Sequence, residues 1–304
     1  MRQRLQGALG VRLSRARREN FASRRPGRIA VSLTSRRPPN LLANFDSAIG
    51  NLNADSLALV LDFDGTLSEF VPVLENAVIH PDVVPPLRRL TDRLALVGVM
   101  SGRAARDVER RVGIAGIVYI GNHGVERIVD GTLSASEGSE EAEHYLQGML
   151  ESLADAADDP GLVLENKRYS ASLHYRRAMD EAGVVERLRA AVESMPDMGG
   201  FELSWGNKIL EIRARNGVNK GVALDWLIEK WGPNSVVFLG DDTTDADALQ
   251  ALQQRKASGA IDGTGIAVIQ DGTPASVFDS ADYSLNGVPE VVLFLSRLQQ
   301  ALIG

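Results

Sequence analysis

What most constrains this chain is a set of short apolar runs that are continuous rather than alternating and that end in small or acidic residues. They cover residues 57–61, 94–100, 117–120, 236–239 and 265–269, with a weaker one at 282–285. A strand half-exposed to water alternates apolar and polar residues, whereas a parallel strand covered by helices on both faces reads as unbroken Val, Ile and Leu. Helical periodicity follows, over residues 103–112, 219–231 and 244–256 and again from Pro289 onward. The predicted class is therefore α/β, with a doubly wound parallel sheet. Residues 130–213 have another texture. Two helical patterns, 140–157 and 180–195, each precede alternating segments, 162–175 and 201–212, which predict a small inserted α+β unit with an antiparallel sheet. The expected organisation is a core of residues 44–128 and 214–304, interrupted by a cap of residues 129–213 over the strand ends, where an open α/β sheet binds ligands.

The formal charge of -7 conceals an asymmetry: residues 1–40 hold eleven Arg, no Lys and one acid, Glu19, so everything after them is strongly acidic. Two readings of the leader, residues 1–43, stand side by side: an organelle-targeting segment or a disordered extension. It lacks the apolar stretch of a secretory signal. An acidic body argues against nucleic acid as partner, and no run approaches the ~18 apolar residues of a membrane span. A cytoplasmic monomer acting on a small molecule is the default expectation, with an organelle as the alternative should the leader be a transit peptide. Cysteine is absent, which excludes disulfides, thiolate nucleophiles and Cys-based metal sites. Any metal must then be held by oxygen or imidazole.

Four signals sit at or near the ends of the predicted elements. The first run ends in Asp62-Phe63-Asp64-Gly65-Thr66-Leu67, so two carboxylates leave one strand end together, a hard oxygen set that suits Mg²⁺. Alone, the same residues could be a solvated Asp-Gly turn. The second run ends in Met100-Ser101-Gly102-Arg103, a hydroxyl where a helix is expected to begin, read either as an anion site or as an ordinary N-cap. Lys220 opens a predicted helix and could neutralise a phosphoryl group or simply be solvated. The fourth run ends in Gly240-Asp241-Asp242-Thr243-Thr244-Asp245. Three acids in five residues repel one another unless a cation compensates, and the bland alternative is a helix cap built on Thr243 or Thr244.

Together the four signals resemble the haloacid dehalogenase-like phosphatases. That resemblance implies Asp62 as nucleophile, Asp64 as general acid and then base, Ser101 and Lys220 as holders of the phosphoryl group, and Mg²⁺ held by Asp62, Asp64, Asp241 and Asp245, with Asp242 as a further candidate. Within that superfamily, Tyr119-Ile-Gly-Asn-His-Gly-Val-Glu126, Glu165-Asn-Lys-Arg168, Ser172-Leu-His-Tyr-Arg176 and Gly206-Asn-Lys-Ile-Leu-Glu-Ile212 are similar to the trehalose-6-phosphate phosphatases. The resemblance spans about residues 57–285 and departs from the usual pattern at Ser68–Pro72, Asn122 and Ala214. It implies a Rossmann-like core with an α+β cap, and hydrolysis of trehalose 6-phosphate through an aspartyl phosphate. For the cap it implies sugar contacts from Glu165, Lys208 and Glu211, with Lys167, His174, Arg176, Arg103 and His123 as further substrate-binding candidates. Glu126 is expected beside His123 at the hinge. The alternatives are a related phosphatase for sucrose 6-phosphate or a mannosyl phosphoglycerate, and a catalytically weak phosphosugar-binding module.

Overall fold

The computed structural model of the chain describes residues 37–50, 52–71, 76–136, 139–195, 200–206, 208–214 and 217–304, so the Arg-rich segment 1–36 lies outside the described residues. In chain order, α1 (Phe45–Ile49) leads to β1 (Leu57–Asp62), α2 (Val84–Thr91), β2 (Leu96–Met100), α3 (Ala105–Val112), β3 (Val118–Gly121), β4 (Glu126–Val129) and β5 (Thr132–Ala135). Then come α4 (Ser139–Ala157), β6 (Val163–Asn166), β7 (Ser170–His174), α5 (Glu181–Ser194), β8 (Phe201–Gly206) and β9 (Ile209–Ala214). The chain closes with α6 (Lys220–Trp231), β10 (Ser235–Gly240), α7 (Thr243–Ala257), β11 (Asp262–Ile269), α8 (Ala275–Ser280), β12 (Tyr283–Asn286) and α9 (Gly287–Ile303).

Every residue of β1, β2 and β10 is buried, as their unbroken apolar runs predict. They lie in one eight-stranded sheet of order β12-β11-β10-β1-β2-β3-β4-β5, parallel from β12 to β3. One apolar cluster joins one face of the sheet to α1, α2, α3 and α9, and a second joins the other face to α6, α7 and α8. Parallel pairing sends the carboxyl ends of β10, β1 and β2 to the same edge, which is why Asp241, Asp62 and Ser101 emerge side by side.

The second sheet is antiparallel, in the order β6-β7-β9-β8. Ala171, Leu173, Leu210, Ile212 and Phe201 pack from it against α4 and α5 in a cluster of their own. Because side chains alternate along a strand, the opposite face carries a polar row in register: Glu165 opposite Ser172, Ser172 opposite Glu211, Glu211 opposite Ser204.

Two sequence expectations need correction, and one helix was not foreseen. The boundary expected at residue 129 falls inside the β4–β5 hairpin, which continues the large sheet by antiparallel pairing, so the second layer starts at α4. The hairpin is short and only its first strand is half-buried, too few residues for a clear period. Residues 37–43, read as leader, join the body instead. Leu41 is fully buried, its N–H donates to the Ser284 carbonyl, and Asn40 donates from Nδ2 to Glu290. Helix α2 was missed because Pro85 and Pro86 obscure its start, although a proline in the first turn removes only an N–H that has no intrahelical partner.

Candidate active site

At the shared strand edge, Lys220 is the organising group. It is the first residue of α6, whose start Asn219 caps by accepting from the N–H of Val222. The side chain runs inward and is 2 % exposed, so the solvated reading of this lysine does not hold. Its Nζ donates to Asp62 Oδ1 at 2.5 Å and to Asp245 Oδ1 at 2.6 Å. Burial works against its charge, yet the carboxylates of Asp245 and Asp62 raise its pKa above the ordinary lysine value.

Asp245 is also tied to the backbone, accepting at Oδ2 from the N–H of Asp241 and of Asp242. With Asp242 as N-cap this forms a reciprocal capping box, so Asp242 takes the capping role expected of Thr243 or Thr244. The cap and the acid cluster are therefore both present, built from one segment. Asp62, Asp241 and Asp245 each place a carboxylate oxygen within 4.8 Å of the others, all buried. Burial, then the neighbouring Asp245 charge, raises Asp62 well above the carboxylate range and pushes Asp241 up to about 8.

One ammonium cannot balance three carboxylates. Asp241 Oδ1 is buried with no hydrogen-bond partner, an orphan acceptor that ordinarily implies an absent donor or cation. Gly65, at φ +83°, passes so close that a Cβ there would lie 2.4 Å from Asp241 Oδ2. An all-oxygen set with an unsatisfied carboxylate fits a hard divalent cation. Asp62 and Asp241 are the side chains open to it, whereas Asp245 already faces Lys220 and two backbone donors.

Beside this cluster, Asp64 is gripped by Arg103, which donates from Nε to Oδ2 at 2.8 Å and from Nη2 to Oδ1 at 2.7 Å. Ser101 Oγ accepts from the Arg103 N–H and lies 3.5 Å from Asp64 Oδ2. Helix α3 begins only at Ala105, so Ser101 is not its cap. That helix has no capping side chain of its own, and Glu126 supplies one from β4 by accepting from the Ala105 N–H at 2.7 Å. Glu126 is thus a cap across the sheet, and the missing local cap was the signal that could have announced it.

On the second sheet the structure brings together Glu165, Lys167, His174 and Ser172. Lys167 Nζ donates to Ser172 Oγ at 2.9 Å and lies 3.6 Å from Glu165, while His174 Nε2 is 3.4 Å from the same carboxylate. Burial works against it, but His174 and Lys167 hold the Glu165 carboxyl below its ordinary value. Glu211 lies in the same row. Lys208 does not join them: at φ 64° in the turn before β9 it pairs with Glu181 of α5 at 2.7 Å. Arg176 is exposed past the end of β7. His123 lines a cavity of about 400 Å³ with Arg213, Asn219 and Lys220. Burial, then the charges of Arg213 and Lys220, lower its pKa and keep it neutral. Sequence reading also missed Asn122, which donates to the Lys167 carbonyl and accepts from Ser170 Oγ, and Gln270, which donates to the Gly65 carbonyl.

A sequence model of the trehalose-phosphatase family matches residues 60–287, three quarters of the chain and every group described above. The chain belongs to this family. The trehalose-phosphate phosphatase of Mycobacterium avium is 34% identical over 260 residues, covering 81% of this chain and 62% of that protein. That of Mycobacterium marinum is 32% identical over 256 residues, with the same coverage. The chain thus spans less than two thirds of the length of these relatives. Among solved structures, the C-terminal domain of Candida albicans trehalose-6-phosphate phosphatase superposes with a TM-score of 0.68 at 20% identity, covering 87% of this chain and 99% of that one. A trehalose-6-phosphate phosphatase related protein gives 0.65 at 22%, covering 80% and 97%. The α/β fold of haloacid dehalogenase type read from the sequence is the one these family members share.

In the metal-free protein the raised carboxyl of Asp241 sets a pH dependence. A folded value of about 8 against an unfolded value of ~3.9 means the folded chain holds a proton that the unfolded chain has released. Stability is therefore lost as pH rises through that window. In EDTA, Asp241→Asn is expected to be more stable than the natural chain by at least about 1 kcal/mol at about pH 8.5, with the gap closing toward about pH 5. Chemical denaturation at the two pH values measures it, and a pH-independent gap would remove the buried charge as its cause.

Proposed function

We propose that the chain hydrolyses trehalose 6-phosphate to trehalose and inorganic phosphate, using Mg²⁺. The observation that carries the reading is the buried Asp62–Lys220–Asp245 set with the orphan Asp241 oxygen beside it, in a chain of the trehalose-phosphatase family.

Asp62 lies at the end of β1 and supplies the nucleophile. Its free oxygen attacks phosphorus, the P–O bond to the sugar breaks, and the sugar oxygen takes the proton of Asp64. Asp64 then removes a proton from water, whose oxygen attacks the phosphorus of the aspartyl phosphate and frees phosphate and the Asp62 carboxylate. A dianionic ester approaching a carboxylate meets like charge, and Lys220 offsets it from beneath while the Ser101 hydroxyl donates to a phosphoryl oxygen. Asp62 and Asp241 would hold Mg²⁺, which would supply charge neutralisation to the transferring phosphoryl group.

The polar row of the second sheet gives this reading its substrate. Glu165, Lys167 and Glu211 offer acceptors and a donor to sugar hydroxyls, each of which both donates and accepts. Of the remaining candidates, His174 stands beside Glu165, whereas Arg176 and Lys208 lie outside this row.

Phosphate release from trehalose 6-phosphate, sucrose 6-phosphate, glucose 6-phosphate and a mannosyl phosphoglycerate tests the reading. Trehalose 6-phosphate is expected to be preferred, with activity lost in EDTA and in Asp62→Asn. Preference for another ester would overturn the substrate, and no release from any would favour a binding module. Glu211→Ala is expected to raise KM for trehalose 6-phosphate by roughly tenfold, the equivalent of one lost polar contact, and to leave p-nitrophenyl phosphate unaffected. Equal effects on both esters would sink recognition by the second sheet.

A further inference from the structure

The fork between Arg103 and Asp64 is a two-bond polar contact near the strand edge that the mechanism above leaves without a role. Arg103 is 6 % exposed, and its position is fixed from three sides. Its Nη1 lies 3.5 Å from Asp107 Oδ2, its guanidinium lies 5.7 Å from the centre of the Phe63 ring, and its own N–H is bound to Ser101. Asp107 is in turn held by Arg111 at 2.7 Å. A side chain braced in this way cannot easily turn to a sugar, so the substrate-binding role expected of it does not fit its surroundings.

We infer that Arg103 is a positioning residue that fixes the orientation of the Asp64 carboxyl group for the second half-reaction, the hydrolysis of the phosphorylated Asp62. The inference rests on the phosphatase reading and deepens it. Guanidinium stays charged and offers only donors, and its two parallel N–H groups match the two oxygens of an ionised carboxylate. A protonated carboxyl would set its O–H against one of those donors, so acting as an acid requires one of the two contacts to open. Acting as a base does not. With one lone pair of each oxygen on Arg103, each oxygen keeps another, and one of these can accept a proton from water as the water oxygen bonds to phosphorus and the P–O bond to Asp62 breaks.

The division can be read with p-nitrophenyl phosphate, whose leaving group departs without a proton. In Arg103→Gln and Arg103→Lys the first half-reaction is expected to persist as a burst of p-nitrophenol approaching one equivalent per chain. Steady-state turnover should fall by roughly 10–100-fold, the span of one lost charge-assisted contact. Phosphorylated Asp62 should accumulate above its level in the natural chain, seen as an added phosphoryl mass in quenched protein, and KM for trehalose 6-phosphate should fall or stay unchanged. A raised KM with unchanged kcat would make Arg103 a substrate ligand instead. Unchanged turnover, a burst lost in step with turnover, or loss of cooperative unfolding in Arg103→Lys would each overturn the inference. Absence of Mg²⁺-dependent turnover in the natural chain would instead fault the phosphatase reading itself.

Discussion

A single ammonium placed among carboxylates and away from water is the constraint from which the site follows. Lys220 reaches Asp62 from α6 and Asp245 from α7, so the two helices and β1 must meet at one point. Removing a buried charge from such a set leaves its partners uncompensated, at a cost of about 3–5 kcal/mol in comparable cases. The parallel register supplies the convergence: β10 and β1 pair residue for residue up to Leu61 and Leu239, and the chain leaves both strands at the same height. The third acid, Asp241, breaks the balance. Its buried Oδ1 has no hydrogen-bond partner, and its carboxylate packs against Gly65, where a Cβ would not fit.

The passage from one sheet to the other is built with comparable care. Asn122 and His123 both take left-handed backbone conformations, at φ 50° and 57°, which cost about 1–3 kcal/mol each for residues with a Cβ. Neighbouring contacts hold them there. Asn122 uses its amide on both Lys167 and Ser170, and the His123 ring lies against Gly102, where a Cβ would come within 2.6 Å of Cε1. The same turn that strains the backbone therefore ties the polar row of the second sheet to the strand edge carrying Ser101. Glu126, two residues past Gly124, completes the arrangement by capping α3 and so fixing the start of the helix that braces Arg103 through Asp107.

The large sheet was legible because its strands are buried on both faces and their sequences are apolar without interruption. Asp62, Asp241 and Ser101 could be placed at strand ends for the same reason. What stayed hidden involves partners far apart in the chain or residues too few to show a period. The β4–β5 hairpin has four-residue strands, and its pairing with β3 extends the core past the expected boundary. Arg103 stands two residues after Ser101, yet its partner Asp64 is 39 residues earlier, and no local pattern reports that fork. Gln270 lies 205 residues from the Gly65 carbonyl it contacts. For Lys208, the motif suggested a place beside Glu211, but a turn conformation carries it to α5 and Glu181. Spacing along a strand can be read from sequence, whereas the direction of a side chain leaving a turn depends on tertiary neighbours.

The account stands on the buried acids being one positive partner short. Calorimetric titration of the metal-free full chain with Mg²⁺ tests this most directly. One equivalent per chain is the expected result, abolished in Asp241→Asn and retained in Asp247→Asn, which stands outside the group of Asp62, Asp241 and Asp245. Failure to saturate, or undiminished binding in Asp241→Asn, would contradict it, because the orphan oxygen would then not be where the cation belongs.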